Sequence, residues 1–234
     1  MNNGCIIQQA YNKHEWPDNY HPALELVRER HQAYADKWKF DYLVVFGEVR
    51  LGWEVSHGGW AKIELVRQML AKGYKYVVWV DADAMIVDMN TDLREGCPEG
   101  LGMVMHNGKG TPGPHLNVGV MLMQNTPEVR AFFDEWATRY PGTAEFPWYE
   151  QGEAHKMAHD QRWAGVVIEI DKRWNSCLYA NTHVNNAVIE GWHGMGLPAQ
   201  RIEQMRTFLD LLNKSGIEGG LPPAPLLTGE VKAR

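Results

Sequence analysis

A short apolar run that ends in two carboxylates is the feature that most constrains the fold of this chain. Residues 77–80, Val-Val-Trp-Val, are β-branched or aromatic, which is typical of a buried strand, most simply a central one covered on both faces. Asp81 and Asp83 follow at once, and residues 84–87 are again apolar. Because ligands of open α/β sheets collect beyond the carboxyl ends of the strands, this position predicts an oxygen-ligated divalent metal and a phosphorylated ligand. The alternative is a polar turn in which both aspartates cap backbone N–H groups.

The residues before this pair alternate between strand and helix patterns. Apolar residues predict strands at 4–9, 42–46 and 77–80 and amphipathic helices at about 22–38 and 60–72. Pro22 suits a first helical turn, and Gly73 is placed to end the second helix. This order predicts an α/β fold whose parallel strands are joined by right-handed crossovers.

The order of elements becomes mixed after residue 100. We expect strands at 102–106, 116–123, 166–170 and 187–189, and helices at about 128–140, 150–159 and 200–213. Residues 106–114 form a Gly/Pro-rich loop of the kind that closes over ligands. The Gly/Pro-rich residues 216–234 are expected to be a flexible tail.

Length, charge and cysteine content limit the class of protein. The 234 residues fit one domain, and a net charge of −6 with a pI near 5.9 gives no broad footprint for nucleic acid or anionic membrane. The three cysteines are widely separated, which suggests reduced thiols in a cytosolic-type compartment. No signal peptide or membrane-spanning run is recognisable. We therefore expect a soluble, cytoplasmic protein.

Tryptophan is used far more often than in an ordinary globular chain, with ten residues of this type. Aromatic faces bind sugar rings, stack on bases and fill interfaces, so the excess indicates a ligand or partner. The alternative is a tryptophan-rich core.

Five motifs in a fixed order give the chain a resemblance to a known family. They are Trp60-Ala61-Lys62-Ile63, then Trp79 to Ala84, then Leu116-Asn117-Val118-Gly119, then Glu150-Gln151, then Trp192-His193-Gly194. Over roughly residues 5–196 the chain resembles the retaining GT-A glycosyltransferases, and within them glycosyltransferase family 34. That group includes fungal α-galactosyl and α-mannosyltransferases and plant xyloglucan xylosyltransferases. The resemblance implies a Rossmann-like GT-A domain over residues 1–215, with a central, mostly parallel mixed sheet flanked by helices. Its nucleotide-binding half would be about 1–95 and its acceptor and catalytic half about 96–215.

The resemblance implies a metal site. Asp81 and Asp83 match the pair that holds Mn²⁺ on the donor diphosphate, and His193 matches the late histidine that completes the metal ligands. Carboxylates suit Mn²⁺ or Mg²⁺, and an imidazole favours Mn²⁺. The alternative for His193 is a surface histidine in a Gly-rich turn.

The resemblance also implies contacts with the donor sugar. Asn117 and Gly119 match an element beside that sugar, where Gly permits close approach and Asn can bond hydroxyls. Glu150 and Gln151 match an acidic residue and a glutamine near the anomeric carbon. The family commonly has two aspartates before this glutamine, whereas this chain has Tyr149 and Glu150. The donor sugar and the role of Glu150 are therefore left open.

Further positions match nucleotide and acceptor contacts. Gln8 and Tyr11 lie where the family binds the nucleotide base, and Lys62 would approach the nucleotide or the donor sugar; a purely structural role is the alternative for all three. The aromatic candidates for stacking on an acceptor or sugar are Trp53, Trp148 and Trp192.

The function implied is metal-dependent transfer of a hexose or pentose from a UDP-sugar, or another nucleotide-sugar, to an acceptor hydroxyl with retention. The acceptor would attack from the leaving-group side, and the departing phosphate would take its proton. Since no anchor is recognisable, the resemblance suggests a bacterial or viral enzyme acting on a glycan, a lipid-linked sugar, a protein or a modified base of phage DNA. A groove for DNA could be lined by Lys109, Arg162, Lys172 and Arg173. Two different functions also fit the sequence: a nucleotidyltransferase, which likewise uses a metal-bound carboxylate pair, and a non-catalytic glycan-binding module.

Overall fold

Strands and helices alternate along the part of the chain that the computed structural model describes, which comprises residues 2–10, 19–47, 58–107, 113–140, 149–180, 182–193 and 198–215. The strands are β1 (Gly4–Ala10), β2 (Phe40–Phe46), β3 (Tyr76–Val80), β4 (Ala84–Ile86), β5 (Leu101–His106), β6 (His115–Gln124), β7 (Val167–Glu169) and β8 (Ile189–Gly191). The α-helices are α1 (His21–Trp38), α2 (Gly58–Ala71), α3 (Pro127–Thr138), α4 (Tyr149–Ala158) and α5 (Pro198–Ser215).

The main sheet has six strands in the order β2-β1-β3-β6-β5-β7. Strand β1 pairs in parallel with β2 and β3, while β6 runs antiparallel to both β3 and β5, and β7 is parallel to β5. One strand is thus reversed in an otherwise parallel sheet. The predicted fold class, an α/β domain with a mixed, mostly parallel sheet and flanking helices, is confirmed, and β3 is central as expected.

Alternation along β3 divides the core between the two faces of the sheet. Val77 and Trp79 pack in one apolar cluster with α2 and α3 residues such as Val66 and Phe132. Val78 and Val80 point the other way and pack in a second cluster with Ile6, Tyr34 and Ile189. Because side chains alternate along a strand, a continuous apolar run is what a strand covered on both faces requires.

Local sequence signals fix the ends of the first two helices. Pro22 occupies the first turn of α1, whose C-terminal cap, Lys39, has a left-handed backbone with φ of 58°. Helix α2 ends at Ala71, and Gly73 follows with φ of +88°. Both predicted helices are confirmed, with Gly73 in a conformation that glycine adopts most easily.

A second, two-stranded sheet lies outside the main one and pairs β4 with β8 in antiparallel register. The strand predicted at 187–189 is wrong in position, because the strand runs from Ile189 to Gly191. Its register pairs Ile86 with Ile189 and Ala84 with Gly191. Hydrogen bonding to β4, and not the apolar character of residues 187–189, therefore sets the bounds of this strand.

Most of the described tryptophans belong to the interior. Five are buried and two are half-buried; the buried ones are Trp60, Trp79, Trp136, Trp174 and Trp192, and the half-buried ones are Trp38 and Trp163. The three cysteines are free and buried. Among the described residues, no helix combines the length and apolar character that crossing a bilayer needs. The centre of the predicted ligand loop (108–112) and the predicted tail (216–234) lie outside the described residues.

Candidate active site

The carboxyl end of β3 brings together the three side chains predicted to hold a metal. Asp81 follows β3, Asp83 precedes β4, and His193 lies two residues beyond β8. One ligand atom from each of the three lies within 4.8 Å of the others. The β4–β8 pairing places His193 there, and the Trp192 N–H also donates to the Asp83 carbonyl at 2.9 Å. The structure therefore joins residues that are more than a hundred positions apart in the sequence.

The Asp81 carboxylate is fixed by side-chain donors. Its Oδ1 accepts from Lys62 Nζ at 3.0 Å and from Trp79 Nε1 at 2.7 Å. Its backbone N–H donates to the Gly119 carbonyl at 2.7 Å, which ties the turn to β6. The backbone does turn here, since the Ala84 N–H donates to the Asp81 carbonyl at 3.0 Å. The carboxylate nevertheless faces the site and is bound by side chains from β3 and α2.

Asp83 is buried between two cationic or ionisable side chains. Its Oδ1 lies 3.3 Å from His193 Nδ1, and its Oδ2 accepts from Arg201 Nη1 at 2.8 Å. Burial acts to raise the pKa of Asp83, but His193 and then Arg201 outweigh it, so the pKa lies well below the usual range. Asp83 is an anion that keeps one oxygen toward His193 while the other is held by Arg201.

Lys62 and Glu150 form a buried charge cluster with Asp81. The Lys62 side chain is almost fully buried, and its Nζ lies 3.4 Å from Glu150 Oε1 and 3.3 Å from the Val118 carbonyl. Burial acts to lower the pKa of Lys62, but Asp81 and Glu150 raise it overall. Burial raises the pKa of Glu150 despite the opposing effect of Lys62. Lys62, predicted to approach the nucleotide, thus has three protein acceptors around its ammonium group.

Two glycines make room for the imidazole of His193. A Cβ on Gly191 would lie 2.3 Å from His193 Nε2, and a Cβ on Gly119 would lie 2.5 Å from Cε1. No side chain fits at either position without moving the ring. The sequence predicts that Gly119 permits a close approach to the donor sugar; in the structure the group that approaches it is His193.

Asn117, Gln151 and Asn175 connect β6 to the site. Asn117 Oδ1 accepts from the Gly119 N–H at 2.8 Å and from Asn175 Nδ2 at 2.9 Å. Gln151 Oε1 accepts from the Val118 N–H at 3.2 Å. Both side chains predicted to lie near the donor sugar are therefore anchored on the same segment of β6. Glu150 approaches α2 through Gly59, where a Cβ would meet its carboxylate at 2.2 Å.

Gln8 is buried and hydrogen-bonds to the backbone of Asp81. Its Nε2 donates to the Asp81 carbonyl at 3.3 Å, and its Oε1 lies 2.6 Å from His31 Nδ1 and accepts from Tyr42 Oη. His31 Nε2 accepts from the Ile86 N–H, so Nδ1 is the protonated nitrogen. Burial, with Arg30 nearby, lowers the pKa of His31 to about 3. The predicted base-binding residue Gln8 is buried and hydrogen-bonded to α1, to β2 and to the Asp81 turn.

The aromatic candidates are divided between the interior and segments outside the described residues. Trp192 is buried, and its ring contacts Phe208 of α5 with centroids 5.5 Å apart. Tyr11, Trp53 and Trp148 lie outside the described residues. In this structure Trp192 is part of the apolar core beside α5.

Two of the four basic residues considered for DNA binding have protein partners in the described part of the chain. Arg162 is exposed but pairs with Asp160 at 2.7 Å and Glu135 at 3.1 Å. Arg173 donates to Thr91 Oγ1 at 3.2 Å, and Lys109 lies outside the described residues.

Arg201 and Asn175 are site residues that the sequence patterns did not reveal. Arg201 lies on α5 and donates to Tyr20 as well as to Asp83, while Asn175 ends a 3-10 helix, Lys172–Asn175. Neither lies in a recognisable motif. A basic residue near the start of the last helix, eight positions after His193, is the one signal that could have suggested Arg201.

A divalent cation suits this set of groups. The site has three carboxylates and two cationic side chains, which are Asp81, Asp83 and Glu150 against Lys62 and Arg201, so negative charge is in excess. Two of the carboxylates and one imidazole offer the mixed oxygen and nitrogen donors that Mn²⁺ accepts. The fold and this constellation define an α/β domain with an acidic pair at the carboxyl end of its central strand.

Comparisons with known proteins indicate that the class is the glycosyltransferases. The model of the galactosyl transferase GMA12/MNN10 family matches residues 5–101, which include Asp81 and Asp83 but not His193. Proteins described as "Probable glycosyltransferase 6" from Oryza sativa subspecies indica and japonica are 31% identical over 135 residues, a match that covers 51% of this chain and 28% of each relative. The resemblance found in the sequence is confirmed, and the predicted enzyme class, a glycosyltransferase, is the one these comparisons name. The chain spans well under two thirds of the length of these relatives.

A solved structure shares the fold. It is described as a glycosyltransferase involved in the glycosylation of the major capsid of PBCV-1, with a TM-score of 0.64 and 16% identity, over 87% of this chain and 98% of that one. At this identity the similarity shows the fold alone.

Proposed function

We propose that this protein is a metal-dependent glycosyltransferase that moves a hexose or pentose from a nucleoside-diphosphate sugar, a UDP-sugar in the first instance, to an acceptor hydroxyl with retention of configuration. The observation that carries the proposal is the convergence of Asp81, Asp83 and His193 within 4.8 Å at the end of the central strand. These three side chains would hold Mn²⁺, or Mg²⁺ as the second choice. When bound, the cation supplies charge neutralisation for the leaving diphosphate.

The surrounding residues fix this set of ligands. Lys62 and Trp79 bind one oxygen of Asp81, and Arg201 binds one oxygen of Asp83, so each carboxylate is oriented before any ligand arrives. Such preorganisation is what electrostatic catalysis requires, because the donors need not rearrange during the reaction. Arg201 would add positive charge beside the diphosphate.

Asn117, Glu150 and Gln151 are the groups we assign to the donor sugar. Asn117 and Gln151 are both bound to the backbone of β6, at Gly119 and Val118, next to the Asp81 turn. That position supports a role in orienting the sugar over the diphosphate. Glu150, paired with Lys62, would stabilise positive charge that develops at the anomeric carbon. The departing phosphate would accept the proton of the acceptor hydroxyl, so no dedicated base is needed.

Hydrolysis of nucleotide-sugars in the absence of an acceptor tests the proposal. UDP- and GDP-sugars are incubated with the protein and Mn²⁺, and release of the nucleoside diphosphate is measured with and without EDTA. We expect Mn²⁺-dependent release of UDP and loss of that release in Asp83→Ala and His193→Ala. Asp210→Ala and His159→Ala, which change exposed residues of the same types, serve as matched controls.

Several outcomes would contradict the proposal. Unchanged turnover in Asp83→Ala and His193→Ala would refute the metal assignment. Release of pyrophosphate would indicate nucleotidyl transfer, and metal-independent glycan binding without hydrolysis would indicate a binding module. The anomeric configuration of the released sugar, followed by NMR at early times, separates retention from inversion.

A further inference from the structure

Asn175 is a fully buried amide that bridges two residues of the site. Its side chain is 0% exposed, its Nδ2 donates to Asn117 Oδ1 at 2.9 Å, and its Oδ1 lies 3.0 Å from His193 Nε2. Its backbone carbonyl lies 3.1 Å from His106 Nε2, which holds the peptide in place. This buried amide has a fixed orientation, because reversing it would set two amide oxygens face to face at the Asn117 end.

The direction of this chain of hydrogen bonds follows from a backbone donor. The Gly119 N–H can only donate, and it does so to Asn117 Oδ1 at 2.8 Å. That atom is therefore the amide oxygen, and the Asn175 atom facing it must be the NH₂ group. Asn175 then presents its oxygen to His193, and His193 Nε2 must carry the hydrogen.

The other ring nitrogen of His193 faces the acidic pair. Nδ1 lies 3.3 Å from Asp83 Oδ1, while Gly191 and Gly119 pack against the Nε2 and Cε1 side of the ring. With Nε2–H donated to Asn175, Nδ1 either donates a proton to Asp83 or, once a cation displaces that proton, offers its lone pair to the cation. A histidine that binds a metal commonly donates its second N–H to a fixed acceptor, which sets both tautomer and ring orientation.

We propose that Asn175 is a positioning residue that holds His193 as the Nε2–H tautomer, so that Nδ1 is the atom offered to a divalent cation together with the Asp81 and Asp83 carboxylates. This inference rests on the cation site of the proposed function. It adds the identity of the coordinating nitrogen and the residue that selects it. Asn117 acts on His193 indirectly, because it fixes the orientation of the Asn175 amide.

The tautomer is measured on protein loaded with Zn²⁺, a diamagnetic ion that also takes imidazole and carboxylate ligands, and needs no variant of Asn175. Histidine is labelled with ¹⁵N, and long-range ¹H–¹⁵N correlations are recorded with and without Zn²⁺. The His193 signals are identified by their absence from His193→Gln. In the Zn²⁺-loaded protein we expect the hydrogen on Nε2; a hydrogen on Nδ1 in that state would overturn the proposal whatever the metal affinity.

Two variants test the link to metal binding. Asn175→Asp keeps an acceptor for Nε2–H but loses the donor to Asn117, whereas Asn175→Leu loses both at similar volume. Binding of Mn²⁺ alone is followed by the EPR signal of the free ion, and folding by circular dichroism. We expect the dissociation constant to rise about 10–100-fold in Asn175→Leu and to stay within about threefold of wild type in Asn175→Asp. A folded Asn175→Leu protein with unchanged Mn²⁺ affinity would overturn the proposal.

The two parts of the experiment separate this inference from the proposed function. Wild-type protein that binds neither Mn²⁺ nor Zn²⁺ but still carries a hydrogen on Nε2 of His193 would contradict the cation site and support the role of Asn175. Protein that binds Mn²⁺ with the hydrogen on Nδ1 would do the reverse. If Asn175→Leu does not fold, the wild-type tautomer and the Asn175→Asp affinity still decide the question.

Discussion

Replacing Lys62 with methionine removes the cation between Asp81 and Glu150 while keeping a side chain of similar length. Lys62 Nζ lies 3.0 Å from Asp81 Oδ1 and 3.4 Å from Glu150 Oε1, and it is nearly inaccessible to water. At an effective dielectric constant of about 20, each attraction is about 5 kcal/mol, and desolvation of the lysine offsets much of that sum. Breaking a buried pair typically costs about 3–5 kcal/mol, because a buried charge is left unpaired. We expect Lys62→Met to lose that much free energy of unfolding.

Urea unfolding in EDTA at pH 7, followed by circular dichroism, measures this change, since a cation could otherwise mask the lost charge. Arg67→Met is the matched control on the same helix, where the half-exposed Arg67 pairs with Glu64 and Asp134. Exposed pairs contribute about 0–1 kcal/mol, so the control should unfold close to wild type.

A double-mutant cycle then shows whether the cost comes from the charge cluster. Glu150→Gln in the Lys62→Met background removes one of the two unpaired carboxylates and should recover about 1–3 kcal/mol as coupling energy. The reasoning is refuted if Lys62→Met is no less stable than Arg67→Met, or if the effects of the two substitutions are additive.

Three other substitutions have defined expectations. Gly191→Ala places a Cβ 2.3 Å from Nε2 of His193, so the imidazole ring must move. We expect the Mn²⁺ affinity, measured by EPR, to fall about 10–100-fold. An unchanged affinity would contradict the described ring position. Burial lowers the pKa of His31 from 6.5 to about 3. Between these two pH values the unfolded chain binds a proton that the folded chain does not, so the free energy of unfolding falls as the pH drops below 6.5. Urea unfolding at pH 7 and pH 5 should therefore show about 2 kcal/mol less pH-dependent loss in His31→Gln than in wild type, and equal losses would refute this. Phe132→Ala should cost about 3–5 kcal/mol in the same unfolding assay, because Phe132 is fully buried among aromatic rings, and a cost below about 1 kcal/mol would contradict that packing.

The sequence predicted best what is decided locally. The apolar run at 77–80, Pro22 at the start of α1 and Gly73 after α2 each carry their structural reason within a few residues. The parallel order of the first three strands also follows, because alternating strands and helices leave few other arrangements.

Features that depend on distant partners were less predictable. The bounds of β8 are set by its pairing with β4, which residues 187–189 do not encode. Gln8 looks like a residue at the mouth of a ligand crevice, but packing of α1 brings His31 against it and encloses it. Asn175 and Arg201 reach the site only through the 3-10 helix and α5, so no motif marks them. The family resemblance supplied Asp81, Asp83 and His193 together, which residue spacing alone could not.

The antiparallel pairing of β4 with β8 has a consequence for the newly made chain. The acidic pair and His193 are separated by more than a hundred residues, and three residue pairs join the strands that bring them together. At ~5–20 residues per second, roughly 6–20 s of synthesis pass between Asp81 and His193. A nascent chain that has formed β1, β2 and β3 therefore lacks His193 of the proposed cation site, and Mn²⁺ binding would report the formation of β8. Ribosome-bound chains that end before residue 189 should bind the ion no better than an unstructured peptide.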